Sequence, residues 1–244
     1  LVDSTLSIVL TVHLNMALYN EPITLEDGSY STLTHIQPVK HVDWEDIAVI
    51  TEDSVSSLVL ADIGDNRARR RNVQLYKLTE PEYTDSSSIS VNVDKMVLHY
   101  TEGPRDAEAL AFDPNSGELV ILTKRDVISL IYSFSFEPTF KRITSVGTLD
   151  LRKHLPDDGH TNKITGMDIN QRGEILIKNY SHVVLFLNES SLAARNSIQE
   201  KIPVETNYIV EPQGESICWG LDQASYFTFS ENRYGKPEGL YKYY

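Results

Sequence analysis

Acidic side chains recur at matching places in this chain. Four segments share a pattern: Asp43-Trp44-Glu45-Asp46-Ile47-Ala48, Asp106-Ala107-Glu108-Ala109-Leu110-Ala111, Thr165-Gly166-Met167-Asp168-Ile169-Asn170 and Gln213-Gly214-Glu215-Ser216-Ile217-Cys218. Glu45, Glu108, Met167 and Glu215 take one aligned position, and Asp46, Ala109, Asp168 and Ser216 take the next. Three glutamates and a nearby aspartate cannot all lose water as bare anions; they stand apart in solvent, share protons or bind a cation. Oxygen donors with no cysteine close by and few histidines suit a hard cation, Ca²⁺ or Mg²⁺, better than zinc. Glu45, Glu108, Asp168 and Glu215 are therefore the expected metal ligands. The plainer reading is carboxylates that bond backbone N–H groups or line a wet channel.

The densest polar motif is Asp62-Ile63-Gly64-Asp65-Asn66-Arg67, followed by Arg69, Arg70 and Arg71. Gly64 is expected to permit a sharp turn, with Asp65 and Asn66 tolerating a left-handed backbone. One reading is a structural turn neutralised by its arginines. The other is a ligand-facing loop in which Asp65, Asn66 and Arg67, together with Lys124, bind an anionic group. Asp62 or Asp168 would be a general base, and His160, just ahead of the third motif, is the loop alternative to an exposed histidine. No Gly-x-Ser-x-Gly is present and no histidine recurs at a motif position, which disfavours a Ser-His-Asp hydrolase. Cys218 is the one cysteine, so no internal disulfide forms; it is expected to be a buried, inert thiol.

These residues must be positioned by strands. Leu58-Val59-Leu60, Val73 to Leu78, Leu119 to Leu122, Ile128 to Phe136, Ile175-Leu176-Ile177, Val183 to Leu187 and Tyr226 to Phe229 are short β-branched or aromatic runs. Asp113-Pro114-Asn115-Ser116-Gly117 and Asn170-Gln171-Arg172-Gly173 are turns between them. Only Ser190 to Gln199 suggests a helix. The fold class is all-β. Motif, strand, polar stretch and third strand recur four times in the same order, at intervals of 63, 59 and 48 residues, close to the roughly 40–50 residues of a four-stranded propeller blade plus loops. The expectation is a single β-propeller domain over 1–244 with four-stranded antiparallel blades, five in number, or six if a blade has been lost. Residues 1–42 would form an incomplete first blade, and Thr5 to Leu14 could close the ring.

The chain has 244 residues and a formal net charge of −13, which argues against nucleic acid or an anionic membrane surface as the main partner. No run of eighteen apolar residues suggests a membrane span. The chain starts at Leu1, so its natural start is expected to lie upstream or to have been removed. Asn179-Tyr180-Ser181 and Asn188-Glu189-Ser190 are glycosylation sequons of the kind that also arise by chance.

The motif string from Asp43 to Tyr244, with Thr123-Lys124-Arg125 among its members, resembles a family of bacterial and invertebrate β-propellers, many of them known only as hypothetical or esterase-like. That resemblance implies a propeller of unsettled activity and an exported protein. The family usually opens with an Asn-Asp-Ser-Gly-like loop, where this chain has only Val2-Asp3-Ser4. Lactonases, phosphotriesterases and calcium-dependent nucleotidases are similar in the logic of a central cation ringed by carboxylates. The expected function is to bind a divalent cation and a small ligand or substrate at the central channel, as a metal-dependent ester, lactone or phosphoester hydrolase. The alternative is a non-catalytic extracellular platform for protein or glycan.

Overall fold

Strands that read as unbroken apolar runs are buried on both faces, and this is the rule of the fold. A computed structural model describes residues 33–36, 39, 42–52, 55–80, 88–188, 191–230 and 239–244. Strand β1 (Leu33–Ile36) precedes the first blade, which contains β2 (Asp46–Glu52), β3 (Val55–Asp62) and β4 (Val73–Thr79). Next come β5 (Ser88–Val91), which pairs in parallel with β1, and β6 (Asp94–Tyr100), which completes the first blade. The second blade is β7 (Ala107–Asp113), β8 (Glu118–Thr123) and β9 (Ser129–Phe134). The chain then leaves as β10 (Phe140–Ile143), parallel to β6 on the outer edge of the first blade, and returns as β11 (Gly147–Leu149) beside β9.

The third blade is β12 (Ile164–Ile169), β13 (Ile175–Asn179) and β14 (Val183–Phe186). Helix α1 (Ala194–Glu200) follows, and β15 (Val204–Glu205) closes this blade. The fourth is β16 (Gly214–Trp219), β17 (Tyr226–Ser230) and β18 (Gly239–Tyr243). Four blades stand among the described residues. The expected fifth was placed on 1–42, and apart from β1 and two single residues that stretch, with the ring-closing Thr5 to Leu14, lies outside them. The helix expected over Ser190 to Gln199 is α1.

Alternation along a strand explains the double burial. In β8, Leu119 and Ile121 pack toward the first blade, against Val59, Leu75 and Leu98, while Val120 and Leu122 pack toward the third with Ile164 and Ile177. In β13, Ile175 and Ile177 face the second blade and Leu176 meets Ile217 and Tyr226 of the fourth. Successive side chains point to opposite faces, so a strand wedged between blades must be apolar on both. Each such side chain contributes about 1.5–3 kcal/mol of burial.

The bulges correct the repeat alignment. Strands β7, β12 and β16 each carry a register shift, at Glu108, Thr165 and Glu215, whereas β2 pairs without one. Thr165, not Met167, is therefore the counterpart of Glu108 and Glu215, and Asp168 lies further along its strand than the sequence alignment put it. An error of two residues leaves every side chain on the same face, so alternation alone could not expose it.

Asp46 and Asp168 act as stitches between inner strands. Asp46 accepts N–H bonds from Ile47 (2.8 Å) and from Leu110 of the second blade (2.8 Å). Asp168 accepts from Ile169 (2.8 Å) and from Trp219 of the fourth blade (2.7 Å). Burial pushes the Asp168 carboxyl up to about 6 despite these bonds. Asp168→Ala would strip the Trp219 N–H of its acceptor and should cost about 1–3 kcal/mol of stability. Asp168→Asn keeps an acceptor oxygen and should cost less; urea titration of both variants measures the difference.

Candidate functional site

The inner strands begin at one rim of the channel, and carboxylates gather there. Glu45 stands one residue before β2, Asp106 one residue before β7, and Glu108 in the β7 bulge. All three are buried, and one ligand atom from each lies within 4.8 Å of the others, so the triad could hold a metal ion. Gly64 makes room for it. A Cβ there would collide with Glu45 Oε1 and lie 2.6 Å from Asp43 Oδ2. Its role is close approach and not a left-handed turn; the left-handed residue of this loop is Ala68, at φ 47°.

The triad carries counter-charges of its own. Asp106 Oδ1 accepts the Asp65 N–H (2.7 Å) and Oδ2 accepts from Arg125 Nε (2.6 Å). The Lys124 ammonium, whose side chain is 2% exposed, is bonded to Glu108 Oε2. It also donates to the Tyr180 hydroxyl (2.8 Å) and lies 3.8 Å from Glu215 Oε1, which accepts from that same hydroxyl (2.9 Å). Burial alone would lower the pKa of Lys124, but the charges of Glu108, Tyr180 and Glu215 overturn that and hold it charged. Burial, and then the charge of Glu45, push Glu108 well above the usual carboxylate range.

A second buried lysine sits deeper. Lys178 Nζ donates to the Tyr208 hydroxyl (2.6 Å) and to Gly214 O (2.9 Å) and lies 3.5 Å from Glu211. A side chain at Gly214 would strike Nζ, Glu211 and Tyr208 together. Burial pulls Lys178 down to about 8, with Glu211 opposing.

A cavity of about 400 Å³ opens beside these networks, lined by Lys124, Arg125, His160, Lys163, Tyr180, Ser181, Val210, Glu211 and Pro212. His160 meets Tyr180 edge-on, with ring centroids 5.8 Å apart. Its Nδ1 lies 3.2 Å from Lys163 Nζ. His160 is exposed and lines the cavity beside Lys163 and Tyr180.

The expected residues divide among these places. Glu108 shares the triad with Glu45 and Asp106, and Lys124 links it to Glu215. Asp168 lies outside the triad, as a stitch. Asp62, fully buried, accepts the Asp43 N–H (3.0 Å) and pairs with Arg70 (2.8 Å). Asp65 accepts the Arg70 N–H (2.6 Å), and Arg70 Nη1 donates to Gly64 O (2.7 Å). The turn is thus neutralised by Arg70, while Arg67 is exposed. Asn66 accepts from Arg125. Cys218 is half-buried and not fully buried as expected; its thiol is pushed up by burial and then by Asp168 and Asp46.

Neither sequon offers a free amide. Asn179 is fully buried, donates to Thr161 O (2.8 Å) and accepts from Ser181 and His182. Asn188 both donates to and accepts from Leu192. Sequence reasoning missed Tyr180, Tyr208, Glu211 and Lys178. A lysine ending the apolar run Ile175-Leu176-Ile177 was the available signal, since a charge there must find partners.

Between about 8 and the ordinary lysine value near 10.4, the unfolded chain keeps a proton that folded Lys178 has released. Stability should therefore rise with pH across that window and be lower beneath it. The expected slope is up to about 1 kcal/mol per pH unit steeper than in Lys178→Met. Denaturant midpoints measured at several pH values test this.

No protein-family model matches the chain, and no curated protein matches it. Among solved structures, the chain is similar to a periplasmic gluconolactonase of Pseudomonas aeruginosa, at 6% identity and a TM-score of 0.42, over 81% of this chain and 56% of that one. It is also similar to a gluconolactonase of Xanthomonas campestris, at 12% identity and a TM-score of 0.40, over 74% of this chain and 52% of that one. The chain spans about half the length of these two structures. Likeness at this level carries no argument about activity; the propeller assignment rests on the strand pairing described above.

Proposed function

We propose that the protein binds a small organic anion at the channel rim and hydrolyses an ester or lactone there. The observation that carries this reading is the convergence of Lys124, Arg125 and Lys163 on one cavity of about 400 Å³, in a chain whose net charge is −13. Lys124 and Arg125 are paired with channel carboxylates, whereas Lys163 faces the His160 ring and can attract an anion. The Lys124 ammonium, which lines the cavity, presents an N–H donor for a carbonyl oxygen that gains charge as it is attacked. Glu215, bonded to the Tyr180 hydroxyl, stands to receive a proton passed from water through Tyr180.

Of the metal ligands expected from sequence, Glu45 and Glu108 stand here with Asp106, where a Ca²⁺ or Mg²⁺ would lie against the Lys124 ammonium. Lys124, already against Glu108, supplies positive charge from the chain itself. A platform role would call for an aromatic patch on one face. Among the described residues the exposed large aromatics are Phe140, Tyr241 and Tyr244, on β10, on β18 and at the last residue, away from the cavity lining.

Calorimetry with a panel of small carboxylates and sugar-acid lactones tests the reading. At least one should bind, and Lys163→Ala should weaken it about tenfold, a loss of about 1.4 kcal/mol. Tyr180→Phe should leave binding and remove turnover. If no anion binds, or Lys163→Ala changes nothing, the site assignment fails. If an anion binds but no ester or lactone opens, hydrolysis fails and binding stands.

A further inference from the structure

We propose that the Lys124 ammonium is the resident cation of the acidic channel mouth and occupies the role a divalent ion would otherwise fill. The inference goes beyond the anion-binding reading and does not require it. Two members of the triad are already engaged by cationic groups of the chain: Asp106 by Arg125 Nε at 2.6 Å and Glu108 by Lys124. The lysine is not a surface group that has drifted inward. Its side chain is 2% exposed, and Nζ sits 4.8 Å from the centroid of the Tyr180 ring, 2.8 Å from its hydroxyl and 3.8 Å from Glu215. These partners come from the second, third and fourth blades, so the ammonium is built into the assembled ring.

A divalent ion among Glu45, Asp106 and Glu108 would lie against a fixed positive charge in a buried setting that screens it poorly, and the two would exclude each other. Carboxylates that share a site must otherwise take up a proton or a cation. Removing the lysine charge should therefore uncover affinity for a hard cation, which oxygen donors of this kind prefer.

The test uses the metal alone. Wild-type protein, stripped with chelator, should show neither Ca²⁺ or Mg²⁺ heat in calorimetry nor a shift in melting temperature at millimolar ion. Lys124→Met, close in length but neutral, should gain Ca²⁺ binding at least about tenfold tighter than wild type and a Ca²⁺-dependent rise in melting temperature. The double variant Glu108→Gln/Lys124→Met should lose that gain. If Lys124→Met does not fold in chelator, recovery on refolding with Ca²⁺ or Mg²⁺ supports the proposal, and failure to recover in either ion overturns it. Tight Ca²⁺ binding by the wild type, or a folded Lys124→Met with no gain, also overturns it.

Discussion

One ammonium group organises the channel. Lys124 follows β8 of the second blade, Tyr180 follows β13 of the third, and Glu215 lies in the bulge of β16 in the fourth. Glu45 of the first blade acts on the same cluster through its repulsion of Glu108. A charge taken out of water is tolerable only when its partners are in place. The second, third and fourth blades must therefore be docked before Lys124 meets its partners. The apolar layers between blades provide most of the adhesion; the lysine demands their registration. The same group also supplies a donor to the cavity wall, so the feature that aligns the blades is the feature that a ligand would meet.

The second lysine repeats this logic with different parts. Lys178, Tyr208, Glu211 and Thr228 form a network packed against Gly214, and in both networks an ammonium lies over a tyrosine ring and donates to its hydroxyl. Tyrosine suits this duty because its ring shields the lysine stem while the hydroxyl passes a hydrogen bond to a carboxylate. Gly64 and Gly214 serve the networks by what they lack. Each leaves space for charged side chains to come against the backbone.

The all-β class and the blade order were legible because they depend on local alternation and on repetition. Val120 and Leu122 alternate with Leu119 and Ile121 whichever blade they meet. What was not legible depended on geometry that repetition hides. The bulge at Thr165 displaced Asp168 from its supposed equivalents without disturbing the apolar pattern. Arg70 and Arg67 read alike in a basic run, and only the fold of the loop turns Arg70 inward. Lys124 was visible as a polar loop residue, but its partners Glu108 and Tyr180 lie 16 and 56 positions away in sequence. His160 was visible too, but its edge-on contact with Tyr180 was not.

The excursion of β10 onto the edge of the first blade has a consequence for how the chain acquires its structure. That outer edge is covered by Phe140–Ile143, residues that emerge only after the three main strands of the second blade have been made. The first blade therefore cannot be finished as an independent repeat. During synthesis it waits with β6 unpaired on one side, and in the mature protein it cannot peel away without pulling the β9–β11 connection with it. The β10 pairing thus ties the first and second blades together through the chain as well as through their shared core.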